Sequence, residues 1–396
     1  MSKKYDIVFN RPAFSGKEME YIAQALDSAH LSGDGQFTGK CSALLTEILG
    51  IKKALLTTSC THALELSALL LNIEPGDEVI LPSFTFVSTA NAFILRGAKP
   101  IFVDIRPDTL NMDEKLIESR ITKKTRAIVP VHYGGVGCEM DTICAIASKH
   151  KIAIVEDNAH GLFAKYKGKY LGTFGAMATQ SFHETKNFQC GEGGALLIND
   201  EQYVERAEII REKGTDRKKF FRGQVDKYSW VDIGSSFLPS EILTAVLYAQ
   251  FENRLKIQNQ RKSLWERYAE SLADWASKQG IRIAQAGEDC EHSHHVFYLI
   301  LNSLQDRDSL AALLADQGIL AVHHYVPLHS SKMGLSLSGE NLDLPVTDYV
   351  SDRLLRLPLY NSLTFEQQDK VIETVKKFTS KSPKGNTRLN SALAYF

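Results

Sequence analysis

The chain has 396 residues, more than the ~250–300 at which one hydrophobic core stops growing, so two folded units are expected. Hydrophobic residues make up 44% and charged residues 23%, the balance of a water-soluble globular protein. The 46 Lys+Arg against 47 Asp+Glu leave a formal net charge of -1, which excludes binding of nucleic acid or a membrane surface by bulk charge.

The opening MSKKYDIVFN lacks the apolar core of a signal peptide, and no apolar run approaches the ~18–20 residues of a membrane helix. The cysteines (Cys41, Cys60, Cys138, Cys144, Cys190, Cys290) form no CxxC pair and read as reduced thiols of a cytoplasmic protein. Two early loops, RPAFSGKE (11–18) and LSGDGQFTG (31–39), are rich in small and basic residues. The second breaks the GxGxxG fingerprint at Thr38, and no GxxxxGK phosphate loop occurs.

From 53 to 200, short β-rich runs alternate with helix patterns. The runs are KALLTT (53–58), EVILPSF (78–84), PIFVDI (100–105), RAIVPVH (126–132), KIAIVED (151–157), AMATQSF (176–182) and GALLIND (194–200). Helix patterns sit between them at 60–72, 87–97 and 140–151. Near-continuous apolar strands alternating with helices predict an α/β fold, a mostly parallel sheet covered by helices on both faces. After Asp200 the pattern changes. A long helical region runs from about Ser240 through 258–280, and strand candidates at 296–302 and 320–326 flank a helix pattern at 307–318. A smaller α+β unit is therefore expected, with the division at 1–250 and 251–396 and a polar tail at 381–390.

Ligands of open α/β sheets bind beyond the carboxyl ends of the strands, and three reactive sets follow strands here. In TTSCTHALE (57–65), Ser59 or Thr61 can cap the next helix. That helix start can equally hold a phosphate on its free N–H groups. In IVEDNAH (154–160), a strand delivers Glu156 and Asp157, with His160 close behind; an acid fixed there is either an ordinary turn residue or the partner of a cationic ring nitrogen. In SFHETKNFQCGEGG (181–194), Ser181 closes a strand, Lys186 follows, and the glycines turn the chain back into a strand. Such a lysine alone reads as a solvated surface residue. A phosphate cradle, a carboxylate and a lysine at the ends of one sheet together match what pyridoxal phosphate requires. The histidines at 292, 294, 295 and at 323, 324, 329 alternate faces along strands, so no metal site is expected.

These pieces, joined by PGDEVILPSFTFVSTANAFILRGAKPIFVDI, VPVHYGG and HYVPLH (324–329), come in the order found in the DegT/DnrJ/EryC1/StrS sugar aminotransferases, which the chain resembles. The resemblance implies fold type I, the aspartate-aminotransferase-like architecture, and pyridoxal 5'-phosphate as cofactor. It implies that Lys186 is the covalent anchor and Asp157 the partner of the pyridine nitrogen. Phe86 then stacks on the ring, while Ser59, Cys60 and Thr61 cradle the phosphate and Ser181 adds a hydroxyl. His160 stands near the ring hydroxyl, where many members carry Gln. His324, Tyr325 and His329 are expected on the sugar side. Arg211, Lys213, Lys218, Lys219, Arg222 and Lys227 are either a solvated face or contacts to a diphosphate, with Arg222 the candidate for substrate. One departure concerns an Asn that, in many members, reaches the neighbouring subunit's phosphate. Leu238 stands there, with Ser235 and Ser236 as candidate replacements.

The implied reaction moves the amino group of L-glutamate to C4 of a dTDP-4-dehydro-6-deoxy sugar, in a cytoplasmic homodimer with its site at the interface. The alternatives are the C4 epimer of the product and a non-catalytic pyridoxal-phosphate-binding regulator. Dehydratase relatives carry His at the lysine position, so Lys186 favours transamination.

Overall fold

The computed structural model describes residues 5–338 and 342–381, and the expected polar tail lies, beyond Lys381, outside the described residues. Five short apolar runs form β1 (Lys53–Thr57), β2 (Glu78–Pro82), β3 (Lys99–Val103), β4 (Thr125–Ile128) and β5 (Ala153–Asp157). A hairpin of β6 (Lys165–Tyr166) and β7 (Lys169–Tyr170) follows, then β8 (Met177–Ser181) and β9 (Gly194–Ile198). Seven of these strands join in the order β1-β9-β8-β5-β4-β2-β3. The neighbours β3, β2, β4, β5 and β8 are parallel, and β9 is antiparallel to both β8 and β1. All strands except β9 therefore end on one edge.

The strands are apolar throughout because both faces are covered. Leu55, Leu81, Phe102 and Val155 pack with Ala63 and Leu64 of the helix Cys60–Leu70 on one face. On the other, Ala54 and Leu56 meet Leu45 of the helix Gln36–Leu49, and Ile80 and Ile154 meet Ile143 of the helix Met140–His150. Alternate residues of each strand serve opposite cores, as the two-residue period of a strand requires.

The second sheet forms later in the chain. Its strands are β10 (Arg282–Ile283) and, past β11 (Cys290–Glu291) which pairs with β6, β12 (Phe297–Ile300), β13 (Val322–His323) and β14 (Leu354–Leu357). The order is β10-β12-β14-β13, with antiparallel pairs. Three details differ from expectation. The long helical region is two helices, Glu241–Glu252 and Arg254–Gln279, separated at Asn253. The 320–326 strand shrinks to Val322–His323, because only those residues pair with β14. And β14 itself escaped the sequence pattern: the helix Pro345–Arg353 passes straight into it, with no turn residue between.

The N-terminal segment, expected to lie with the first 250 residues, bonds to the second sheet's side. The N–H groups of Asp6 and Ile7 donate to Gly318 O at 2.9 and 3.0 Å, and Leu320 N–H donates to Ile7 O at 2.9 Å. The two sheets share apolar contacts: Phe84, Ile105 and Tyr133 join the cluster built on Phe297, Leu299 and Leu355. The carboxyl edge of the larger sheet thus faces the smaller one.

Candidate active site

Between that edge and the second sheet lies a cavity of ≈ 700 Å³. Its large-sheet wall begins after β1. Ser59 is extended (φ -162°, ψ 164°), and its Oγ accepts from His62 N at 3.1 Å to cap the helix Cys60–Leu70. Cys60 and Thr61 open that helix and line the cavity. A first helical turn leaves its N–H groups without intrahelical partners, so this wall offers donors and a positive dipole end. A Cβ on Gly194 would lie 2.3 Å from Ser59 C and 2.4 Å from Cys60 N. Only glycine lets β9 run this close to the cradle.

After β2 the chain supplies Phe86, at the N-cap of the helix Val87–Ile94 and 58% exposed, so a ring face is open toward the cavity it lines. The same turn holds three hydroxyls. Ser88 Oγ shares a hydrogen bond with Thr61 Oγ1 at 2.8 Å, Thr85 with Thr89 at 2.8 Å, and Thr89 Oγ1 donates to Asp157 Oδ2 at 2.7 Å.

At the end of β5 strand alternation separates two acids. Glu156 turns away and is saturated by His132 Nε2 at 3.0 Å and the N–H groups of Gly172, Phe174 and Gly175. Asp157 turns into the cavity, buried, with Ala159 N–H donating to Oδ1 at 3.2 Å and no ion pair among the described residues. A buried carboxylate with neutral partners calls for a cation.

Lys186 sits in the turn between β8 and β9, which Gly191 completes at φ +83°. No hydrogen bond or ion pair holds its Nζ among the described residues. Burial lowers its pKa, the negative charge of Asp157 opposes this, and Arg356 adds to the lowering. The outcome is an amine easier to deprotonate than an ordinary lysine. Burial, then Asp157, push the Cys60 thiol far up, so it stays neutral.

His160 accepts from Gly134 N–H on Nδ1 at 3.3 Å, so its ring proton sits on Nε2. Its ring stacks on His295 at 4.2 Å. Asn187 Nδ2 donates to Ser293 O at 2.8 Å, which leaves Asn187 Oδ1 to accept from His295 Nδ1 at 2.8 Å. Burial holds both imidazoles well below their usual range, hence neutral. Tyr133 OH meets His324 Nδ1 at 3.1 Å, and Tyr325 packs its ring edge-on against Phe84.

The fold thus brings Ser59, Cys60, Thr61, Phe86, Asp157 and His160 to one cavity, together with Ser181, Lys186, His324 and Tyr325. His329 and Arg222 do not line it. His329 is buried against Ser83, whose Oγ lies 2.7 Å from Nδ1, and it faces Asp348 at 3.5 Å. Arg222 holds Glu208 at 2.7 and 2.8 Å. Much of the basic cluster is likewise spent within the chain: Lys218 pairs with Asp34 at 2.6 Å, Lys219 with Glu205 at 2.7 Å and Lys213 with Glu212 at 2.9 Å. Leu238 packs beside Gly33, and Ser235 and Ser236 are exposed and outside the lining.

Sequence reasoning missed Thr89, Tyr133, His295 and Arg356. Thr89 stood in the quoted VSTANAF run and His295 in the histidine group set aside as no metal site. Tyr133 stood in the quoted VPVHYGG run, and Arg356 carried no local signal, because its relation to the cavity depends on packing of the second sheet.

The chain matches the family model described as the DegT/DnrJ/EryC1/StrS aminotransferase family over residues 12–376. An uncharacterised protein of Methanocaldococcus jannaschii is 32% identical over 379 residues, covering 94% of this chain and 97% of its own. Among solved structures, a putative sugar aminotransferase of Streptococcus pneumoniae in its PLP form is 27% identical, with a TM-score of 0.86 and coverage of 94% and 98%. A Helicobacter pylori aminotransferase involved in pseudoaminic acid biosynthesis is 25% identical, with a TM-score of 0.86 and coverage of 95% and 99%. The fold is that of the type I pyridoxal-phosphate enzymes. The cofactor is pyridoxal phosphate. The cradle that a Cβ on Gly194 would fill and the buried acid without a cation both fit that group.

Proposed function

We propose that this chain, which belongs to the DegT/DnrJ/EryC1/StrS aminotransferase family, moves the amino group of L-glutamate to C4 of dTDP-4-dehydro-6-deoxy-D-glucose, giving dTDP-4-amino-4,6-dideoxy-D-galactose and 2-oxoglutarate. The observation that carries a transaminase reading is the meeting of Lys186, Asp157 and the Ser59–Thr61 helix start on one cavity. The galacto product rests on the resemblance of SFHETKN (181–187) and REKGTDRKKFFRGQVDKYSWVDIGSSFLPSE (211–241) to the family's dTDP-4-amino-4,6-dideoxygalactose transaminases.

In this reading the Ser59, Cys60 and Thr61 region and Ser181 hold the cofactor's phosphate, Phe86 covers its ring, and His160 donates from Nε2 to the ring hydroxyl. Asp157, oriented by Thr89, holds the ring nitrogen in its protonated form. Bound pyridoxal phosphate supplies an electron sink that acidifies the bond at the donor's Cα. Lys186 anchors the cofactor between turnovers. Once displaced, its Nζ takes the Cα proton of glutamate, and in the second half delivers a proton to C4 of the sugar. Burial favours the neutral amine that this base role needs. His324 and Tyr325 face the sugar.

The same proposal makes the enzyme a cytoplasmic homodimer divided at 250/251, with its site at the interface. Exposed Phe221, Tyr228, Trp230 and Ile233 favour burial against a second copy.

The deciding experiment incubates the enzyme with L-glutamate and dTDP-4-dehydro-6-deoxyglucose and reads the product's C4 configuration by proton NMR. A small H3–H4 coupling is expected, from an axial amine. A large coupling would replace the product by its gluco epimer. No product, from an enzyme whose cofactor band glutamate bleaches, would remove the sugar and keep the transaminase.

A further inference from the structure

On β14, Leu355 and Leu357 point into the core at 1% exposure each. Strand alternation turns Arg356, between them, to the other face, where it lines the cavity with Lys186, His324 and Tyr325. Its guanidinium is poorly satisfied. Nη2 donates to His323 O at 3.2 Å, the group lies 4.5 Å from the centre of the Phe9 ring, and the buried Nε finds no acceptor. No carboxylate pairs with it among the described residues. Arg261 is the contrast: fully buried, it donates to the carbonyls of His294, His295 and Leu359 and so ties the fold. Arg307 reaches the carboxylate of Asp308 and Arg282 the carbonyl of Pro107, and neither lines the cavity. A guanidinium with open donors on a cavity wall is a site for a planar anion, since its fork matches a carboxylate in two parallel hydrogen bonds.

We propose that Arg356 holds a carboxylate of the amino-acid donor. The inference rests on the transaminase reading and adds to it the residue that selects the donor. The alternative anion, the sugar nucleotide's diphosphate, fits less well. The donor's Cα must meet the Lys186 amine, so its carboxylates fall close to that amine. The diphosphate hangs on the far side of a sugar ring whose C4 occupies the same point. Arg356 donates to His323 O, and the ring of the next residue, His324, lies 6.4 Å from that of His160, which places the guanidinium at the near end.

The test compares wild type, Arg356→Gln and Arg356→Lys as holoenzymes. Binding of glutarate, an unreactive dicarboxylate, is measured by calorimetry, with the cofactor absorbance band as the check on an intact site. Glutarate affinity should fall about 30-fold in Arg356→Gln, the loss of a charge-assisted pair. Arg356→Lys should fall less, and the KM for the nucleotide sugar should stay within about twofold of wild type in both. Unchanged glutarate affinity in Arg356→Gln with its band intact overturns the proposal. So does a rise confined to the sugar's KM, which would assign the guanidinium to the diphosphate. Should Arg356→Gln fail to fold, Arg356→Lys decides by the same split. Failure of the transaminase reading is seen separately, as a wild-type cofactor band that L-glutamate leaves unchanged.

Discussion

The two walls of the cavity are built differently. The large-sheet wall takes its polar groups from positions at or just past strand ends: Ser59 to Thr61 after β1, Phe86 to Thr89 after β2, Asp157 at the end of β5, Ser181 and Lys186 after β8. Each is placed by the strand it follows, and parallel pairing brings the strand ends to one edge. The second wall presents His295, His324, Tyr325 and Arg356, two of them flanking short strands and none preceded by a phosphate-type turn. These groups reach the cavity only because the smaller sheet packs on Phe84 and Tyr133. In the proposed function the first wall carries the groups that a cofactor needs, and the second carries neutral imidazoles, one phenol and one cation suited to reading a substrate. In the proposed function, covalent chemistry falls to groups fixed by the sheet and selectivity to groups brought in by docking.

The comparison is broken most severely at Lys186. Lys186→Ala should lower kcat by about 10⁴-fold or more, since the proposed covalent anchor and proton carrier go together. Stopped turnover with an unchanged fold is expected, and activity within tenfold of wild type would take the chemistry away from the first wall. Asp157→Asn should keep the unfolding temperature near wild type while lowering kcat/KM by about 10²–10³-fold, because a preorganised charge is lost. Cofactor affinity by absorbance titration checks it, and an unchanged affinity and rate would remove Asp157 from its role.

Gly194→Ala tests the close approach of β9 to the cradle. The added Cβ, 2.3 Å from Ser59 C, forces the helix start to move, at about 1–3 kcal/mol of stability. Chemical denaturation measures the loss, and weaker cofactor binding should accompany it. A neutral effect would mean that the cradle yields freely.

The smallest effect sharpens the account of the second wall. His160 and His295 are held neutral in the folded chain by burial, so their folded pKa lies below the ordinary 6.5. As pH falls below 6.5, the unfolded chain takes up protons that the folded one refuses, and stability drops. The stability these groups preserve is therefore present above pH 6.5 and lost below it. Each histidine contributes a slope of up to about 1.4 kcal/mol per pH unit. Urea midpoints at pH 7.5 and 5.5 should differ more for wild type than for His295→Gln, and equal differences would mean that this wall is wet.

Several parts of this molecule were legible from residues alone. The seven strands of the larger sheet and the helices at 60–72, 87–97 and 140–151 declared themselves, because a strand buried on both faces is apolar at every position and a covering helix repeats its apolar stripe. Lys186, Asp157 and the Ser59–Thr61 helix start were legible for a related reason: each is fixed by the strand immediately before it. Packing decided the rest. It turned His329 to Ser83 and away from the cavity. It also stacked His295 on His160 and turned Arg356 into the cavity between two buried leucines. Those placements join residues far apart in the chain through the docking of one sheet on another, and a local pattern carries no information about contacts that loop closure and core packing choose.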